Sequence, residues 1–226
     1  MQRYNIFNQV HKGLRVMLYE TAKAIQLTDF SNAEESANAI EKLKLVLKLF
    51  EKHASTEDNL VFPRLTTHYP AVVDAFEKEH VEDLALTEQL NGLITTFENA
   101  GSREDKIKTG ITLNRAFVHF LAFNLEHMAK EEDMLNKLFW QHYTDRELVQ
   151  LTEEIVRNQP PDTLEIMSRW MMRGLNSMEI IYWLKNIKNN APEFAFQSMI
   201  KMAEKEIDEN RWQKVKEQLT EGALVD

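Results

Sequence analysis

Two copies of one short pattern, His53-x-x-x-Glu57 and His127-x-x-x-Glu131, set the chemistry open to this chain. A histidine and a glutamate four residues apart share one helix face. A lone histidine precedes each copy, His11 before the first and His80 before the second. The pattern reads as a half written twice: one His, a long gap, then His-x3-Glu. Imidazole and carboxylate together are the donors a divalent or trivalent cation accepts. Two such faces and two further histidines supply most of the donors of a two-metal site.

The positions around these residues sharpen that reading. Val46, Phe50, His53, Glu57 and Leu60 follow a 4-3-4-3 rhythm, the inward stripe of a bundle helix. Phe120, Asn124, His127, Glu131, Met134 and Leu138 keep the same rhythm, as do Phe7, His11, Leu14 and Leu18, while Val73, Phe76, His80 and Leu84 step 3-4-4 along a similar stripe. All four histidines and both glutamates therefore fall on apolar stripes that carry no lysine or arginine. A buried carboxylate without a counter-charge costs several kcal/mol or protonates. A metal pair supplies the missing positive charge. His68, His119 and His142 stand apart, beyond the turns that carry the motif or near a helix end, and are not expected to be ligands.

These residues need long helices to hold them, and the chain supplies them. Glycine and proline are scarce, 6 and 5 of 226 residues, and no stretch alternates with period two. Helices are expected over about Tyr4–Leu27, Ala33–Thr67, Ala71–Glu98 and Arg103–His142, with a kink or early stop at Pro63. Asp29–Ala33 and Asn99-Ala100-Gly101-Ser102 mark turns. Four such helices with short connections describe an all-α, antiparallel up-and-down four-helix bundle over residues 1–143. Residues 144–226 read as a C-terminal helical extension, opened by the capping box Thr144-x-x-Glu147 and packing on the bundle or on a partner. A net charge of −9 without a basic run points away from nucleic acid. No segment approaches the roughly 18 apolar residues of a membrane span, and the first residues lack the apolar block of a signal peptide. With no cysteine, thiolate ligands and disulfides are excluded. A cytoplasmic protein with no membrane association is expected.

In order, spacing and stripe, His11, His53-x3-Glu57, His80 and His127-x3-Glu131 resemble the hemerythrin-like, or HHE cation-binding, family. The resemblance covers roughly residues 1–145. It implies a non-haem centre of two Fe ions joined by an oxo or hydroxo bridge, with His11, His53, His80 and His127 as terminal ligands and Glu57 and Glu131 as bridging carboxylates. Zinc and manganese accept the same donors. The oxygen-carrying members have a further histidine one turn after the third-helix ligand, where this chain has Leu84. Four His, two Glu and one bridging oxygen fill about ten of the roughly twelve positions at two six-coordinate ions. One position per ion is left for a small molecule, which favours exchange over dedicated oxygen carriage. The expected role is binding or sensing of O2, NO, peroxide or iron status. The alternative is a di-iron redox enzyme that handles peroxide or NO, or repairs iron–sulfur clusters. Repair is the less favoured, because the chain has no cysteine and only ten residues before His11. A protein partner or homo-oligomer through residues 144–226 is a further expectation.

Overall fold

A computed structural model describes residues 3–221, and every regular element among them is helical. The order is α1 (Asn8–Leu27), α2 (Ala33–Thr56), a π turn (Glu57–Val61), α3 (Pro63–Thr66), α4 (Pro70–Glu98), α5 (Arg103–His142), α6 (Asp145–Arg157), α7 (Pro161–Gly174), α8 (Ser177–Asn190), α9 (Glu193–Glu206) and α10 (Glu209–Glu221). Helix starts follow local chemistry. The Asn5 carboxamide oxygen accepts from the backbone N–H groups of Phe7 and Asn8, so α1 begins at Asn8 rather than at Tyr4. Asn32 caps α2, Ser102 caps α5, and Thr144 and Asn176 close capping boxes with Glu147 and Glu179.

The helices form two compact units, residues 3–8 with 17–159 and residues 9–16 with 160–221. The division falls at Gln159/Pro160, beyond the 143/144 boundary read from the sequence. Leu148 and Leu151 of α6 are buried in one cluster with Phe62, Leu65, Val73, Leu135 and Phe139, which places that helix with the first unit.

In the first unit, α2, α4 and α5 run alternately up and down. Lys44 meets Glu98 while Glu57 meets His80, so α2 and α4 are antiparallel. His80 meets His127 while Asp83 meets Asn124, so α4 and α5 are antiparallel too. Phe30 lies against Gly110, where a Cβ would sit 2.1 Å from its ring. In the second unit, α7–α10 enclose Met172, Leu175, Ile180, Leu184, Phe196 and Trp212. There residues 9–16 and α7 meet backbone to backbone. A Cβ on Gly13 would lie 2.8 Å from the Met171 nitrogen, and one on Gly174 would lie 2.4 Å from the Lys12 carbonyl oxygen.

Three details differ from the sequence reading. The second long helix does not run unbroken to Thr67. Pro63 has no N–H to offer the Asn59 carbonyl, and its ring crowds that oxygen. The chain widens into a π turn, in which the Phe62 N–H reaches back five residues to the Glu57 carbonyl at 2.8 Å. The extra residue moves the inward position from Leu60 to Val61, which is 2% exposed. On α4, Leu84 is 48% exposed and Asp83 is buried instead. A step of four residues turns the face by about 40° and a step of three turns it back by about 60°. After Phe76→His80, the next inward residue must therefore come three on. On α5, Met134 is exposed and Leu135 and Phe139 continue the buried face, turned towards the leucines of α6.

Candidate metal centre

Each donor sits where its helix turns inward. His11 is on α1, His53 on α2, Glu57 opens the π turn, His80 is on α4, and His127 and Glu131 lie one turn apart on α5. His11 and Glu131 have no exposed surface and Glu57 has 2%. Their ligating atoms form two groups of four, each within 4.8 Å: His11, His53, Glu57 and Glu131 in one, and Glu57, His80, His127 and Glu131 in the other. Glu57 and Glu131 belong to both. Glu57 turns Oε1 to His53 Nε2 at 3.3 Å and Oε2 to His80 Nε2 at 3.5 Å, so its two oxygens address different histidines. His127 Nε2 lies 3.5 Å from Glu131 Oε1 and 3.1 Å from His80 Nε2.

These spacings suit a common cation. Two donors each about 2.1 Å from one ion lie about 3.0 Å apart at a right angle and about 3.4 Å apart at the tetrahedral angle. Four imidazoles with two shared carboxylates form a donor set that fits a pair of ions. His68 and His142 lie outside both groups; their exposed rings stack on each other at 4.0 Å. His119 is exposed and also outside.

The electrostatics of the protein alone show what a cation would relieve. Burial pushes the Glu131 carboxyl well up from its ordinary range, and the neighbouring Glu57 and Glu79 push the same way. Burial lowers the His80 ring, but Glu57 and Asp58 beside it outweigh this and raise it to about 9. Burial holds His127 below its ordinary value, and the charge of His80 adds to this against the pull of Glu79 and Glu57. Without metal, His80 therefore carries a proton that its Nε2 donates to His127 Nε2. With metal, that proton must leave.

Two acids outside the donor set orient the rings. His80 Nδ1 donates to Asp58 at 2.7 Å, and His127 Nδ1 donates to Glu79 at 2.8 Å; Lys130 also donates to Glu79. Both rings thereby present Nε2 to the centre. Phe62 stacks on His80 at 5.2 Å, and Phe76 meets His127 edge-on at 5.8 Å. Sequence reasoning did not pick out Asp58 and Glu79 for this role. The available signal was weak: each acid adjoins a donor in the chain, Glu57 and His80, yet Glu79 serves a ring on another helix.

The Hemerythrin family model, described as the hemerythrin HHE cation binding domain, matches residues 3–139. Two Arabidopsis thaliana proteins described as BRUTUS-like zinc finger proteins are similar to this chain. One is 29% identical over 202 residues, covering 86% of this chain and 16% of its own length. The other is 23% identical over 175 residues, covering 77% of this chain and 14% of its own length. The chain thus spans less than a fifth of either relative. No solved structure shows a significant match.

Proposed function

This chain belongs to the hemerythrin HHE cation-binding family, and from that premise we propose that it is a non-haem di-iron protein that binds or senses a small ligand such as O2, NO or hydrogen peroxide. One observation carries the reading: two four-donor groups share Glu57 and Glu131. His11 and His53 would hold one ion, His80 and His127 the other, and the two shared carboxylates would bridge them. When bound, an iron pair supplies redox-active Lewis-acid positions with room for an exogenous ligand.

The protein's own residues do the rest. Asp58 and Glu79 fix the tautomers and directions of His80 and His127. Phe62 and Phe76 keep water from that side of the rings. Burial favours a proton on the Glu131 carboxyl, and a bound cation would take that proton's place as the counter-charge. Metal analysis with ultraviolet–visible spectra of freshly purified protein, reduced and then exposed to air, tests the proposal. About two irons per chain, with charge-transfer bands that change on reduction, are expected for a hemerythrin-type centre. One tightly held zinc, or no metal uptake, would refute the di-iron reading.

A further inference from the structure

One turn along α4 from His80, away from Phe62 and Phe76, the bundle interior changes character. Asp83 and Asn124 are 5% and 3% exposed, and Asn124 Nδ2 donates to Asp83 Oδ1 at 2.6 Å. His80 and His127 pair across α4 and α5, and Asp83 and Asn124 pair three residues further along one helix and three back along the other. The polar pair is therefore the layer next to the donors. Burial pushes the Asp83 carboxyl up from its ordinary range, while the Asn124 hydrogen bond and the charge of His80 hold it down in part. One turn further still is Thr87, 4% exposed, whose hydroxyl finds no hydrogen-bond partner among the described residues. Phe120, one turn before Asn124 on α5, meets Phe50 edge-on at 5.4 Å.

A polar island between apolar layers is costly unless something hydrogen-bonds to it. The two amide hydrogens of Asn124 are already committed, one to Asp83 and one to the Phe120 carbonyl at 3.1 Å. What the pair offers a newcomer is oxygen acceptors, and Thr87 adds a hydroxyl. Resting on the di-iron reading, we propose that Asp83, Asn124 and Thr87 line the pocket that receives the exogenous ligand, and that this pocket takes a small neutral ligand bringing its own O–H, water or hydrogen peroxide in class, over a small anion. Asp83 is then a specificity-determining residue: it accepts from the ligand's O–H and repels negative charge. Thr87 anchors a water behind it.

Azide is the probe, an anion with no O–H, titrated by difference spectra into iron-loaded wild type and Asp83→Asn, with iron content and melting temperature measured alongside. Removing a like charge from a buried anion site is expected to tighten azide binding at least about tenfold while iron stays at the wild-type level. A role confined to the Asp83–Asn124 hydrogen bond would lower the melting temperature and leave the azide Kd unchanged or weaker, and that result overturns the proposal. Thr87→Val removes only a hydroxyl and supplies a second reading should Asp83→Asn lose iron. Azide binding is then expected to tighten a few-fold as the anchored water is lost, and an unchanged Kd overturns the assignment. Wild-type protein that takes up no iron would instead refute the metal centre itself, a failure distinct from the pocket's.

Discussion

Without metal, the fold should weaken as the solution becomes more alkaline, the opposite of the metal-loaded protein. His80 sits between Glu57 and Asp58, which raise it from its ordinary 6.5 to about 9 against the cost of burial. A base whose folded value lies above its unfolded value contributes stability that is full below about pH 6.5 and is lost as pH rises through about 9. The gap corresponds to about 3 kcal/mol. Glu131 acts in the same sense: its carboxyl is raised by burial, so ionising it at higher pH opposes folding. For a chain of this size, 3 kcal/mol moves the melting temperature by roughly 6–12 °C. The assay is thermal melting of chelator-treated protein between pH 6 and 9, beside the metal-loaded protein. The metal-free melting temperature is expected to fall over that range. The loaded protein should keep its own and lose metal on acidification, when protons compete for the donors. His80→Asn removes the titrating ring and should flatten the metal-free profile. A metal-free melting temperature that holds or rises from pH 6 to 9, or a profile His80→Asn leaves unchanged, refutes the reasoning.

Other perturbations probe separate parts of the structure. Glu57→Ala or Glu131→Ala should lower metal content and melting temperature together, since each carboxylate serves both donor groups; wild-type iron content in both variants would refute the bridging role. Asp58→Asn and Glu79→Gln leave the donor set intact but free a ring, and should weaken metal affinity about 10- to 100-fold in a chelator competition. His68→Ala and His142→Ala should leave metal content unchanged by elemental analysis, because the stacked pair lies outside both groups. Gly174→Ala puts a methyl group 2.4 Å from a backbone oxygen that no side-chain rotation can move. It should cost about 1–3 kcal/mol, read as a lower melting temperature.

How much of this protein is written locally can be judged residue by residue. Helix type, the stops at Asn99–Ser102 and the caps at Thr144 and Asn176 depend on neighbours within four residues, and sequence carries them directly. The six candidate donors are legible for the same reason: a one-turn His-to-Glu spacing repeated on two apolar stripes is a local signal. The break at Pro63 is local as well, although its form is not. Only the folded chain shows that the strain resolves as a π turn that begins at Glu57 and moves Val61 inward.

What tertiary structure alone decided lies between helices. No spacing rule ties Asp58 to His80 across 22 residues or Glu79 to His127 across 48, because those contacts depend on how two helices are set against each other. Leu84 or Asp83 can each follow His80 on a helical stripe. Packing against α5, where Asn124 waits for a hydrogen-bond partner, buries the aspartate and turns the leucine to solvent. The sequence by itself determined which side chains could bind a cation and on which helices they ride. The tertiary structure decided which acids orient them and which polar groups stand next to them, because directional contacts between helices depend on register and rotation, which periodicity leaves open.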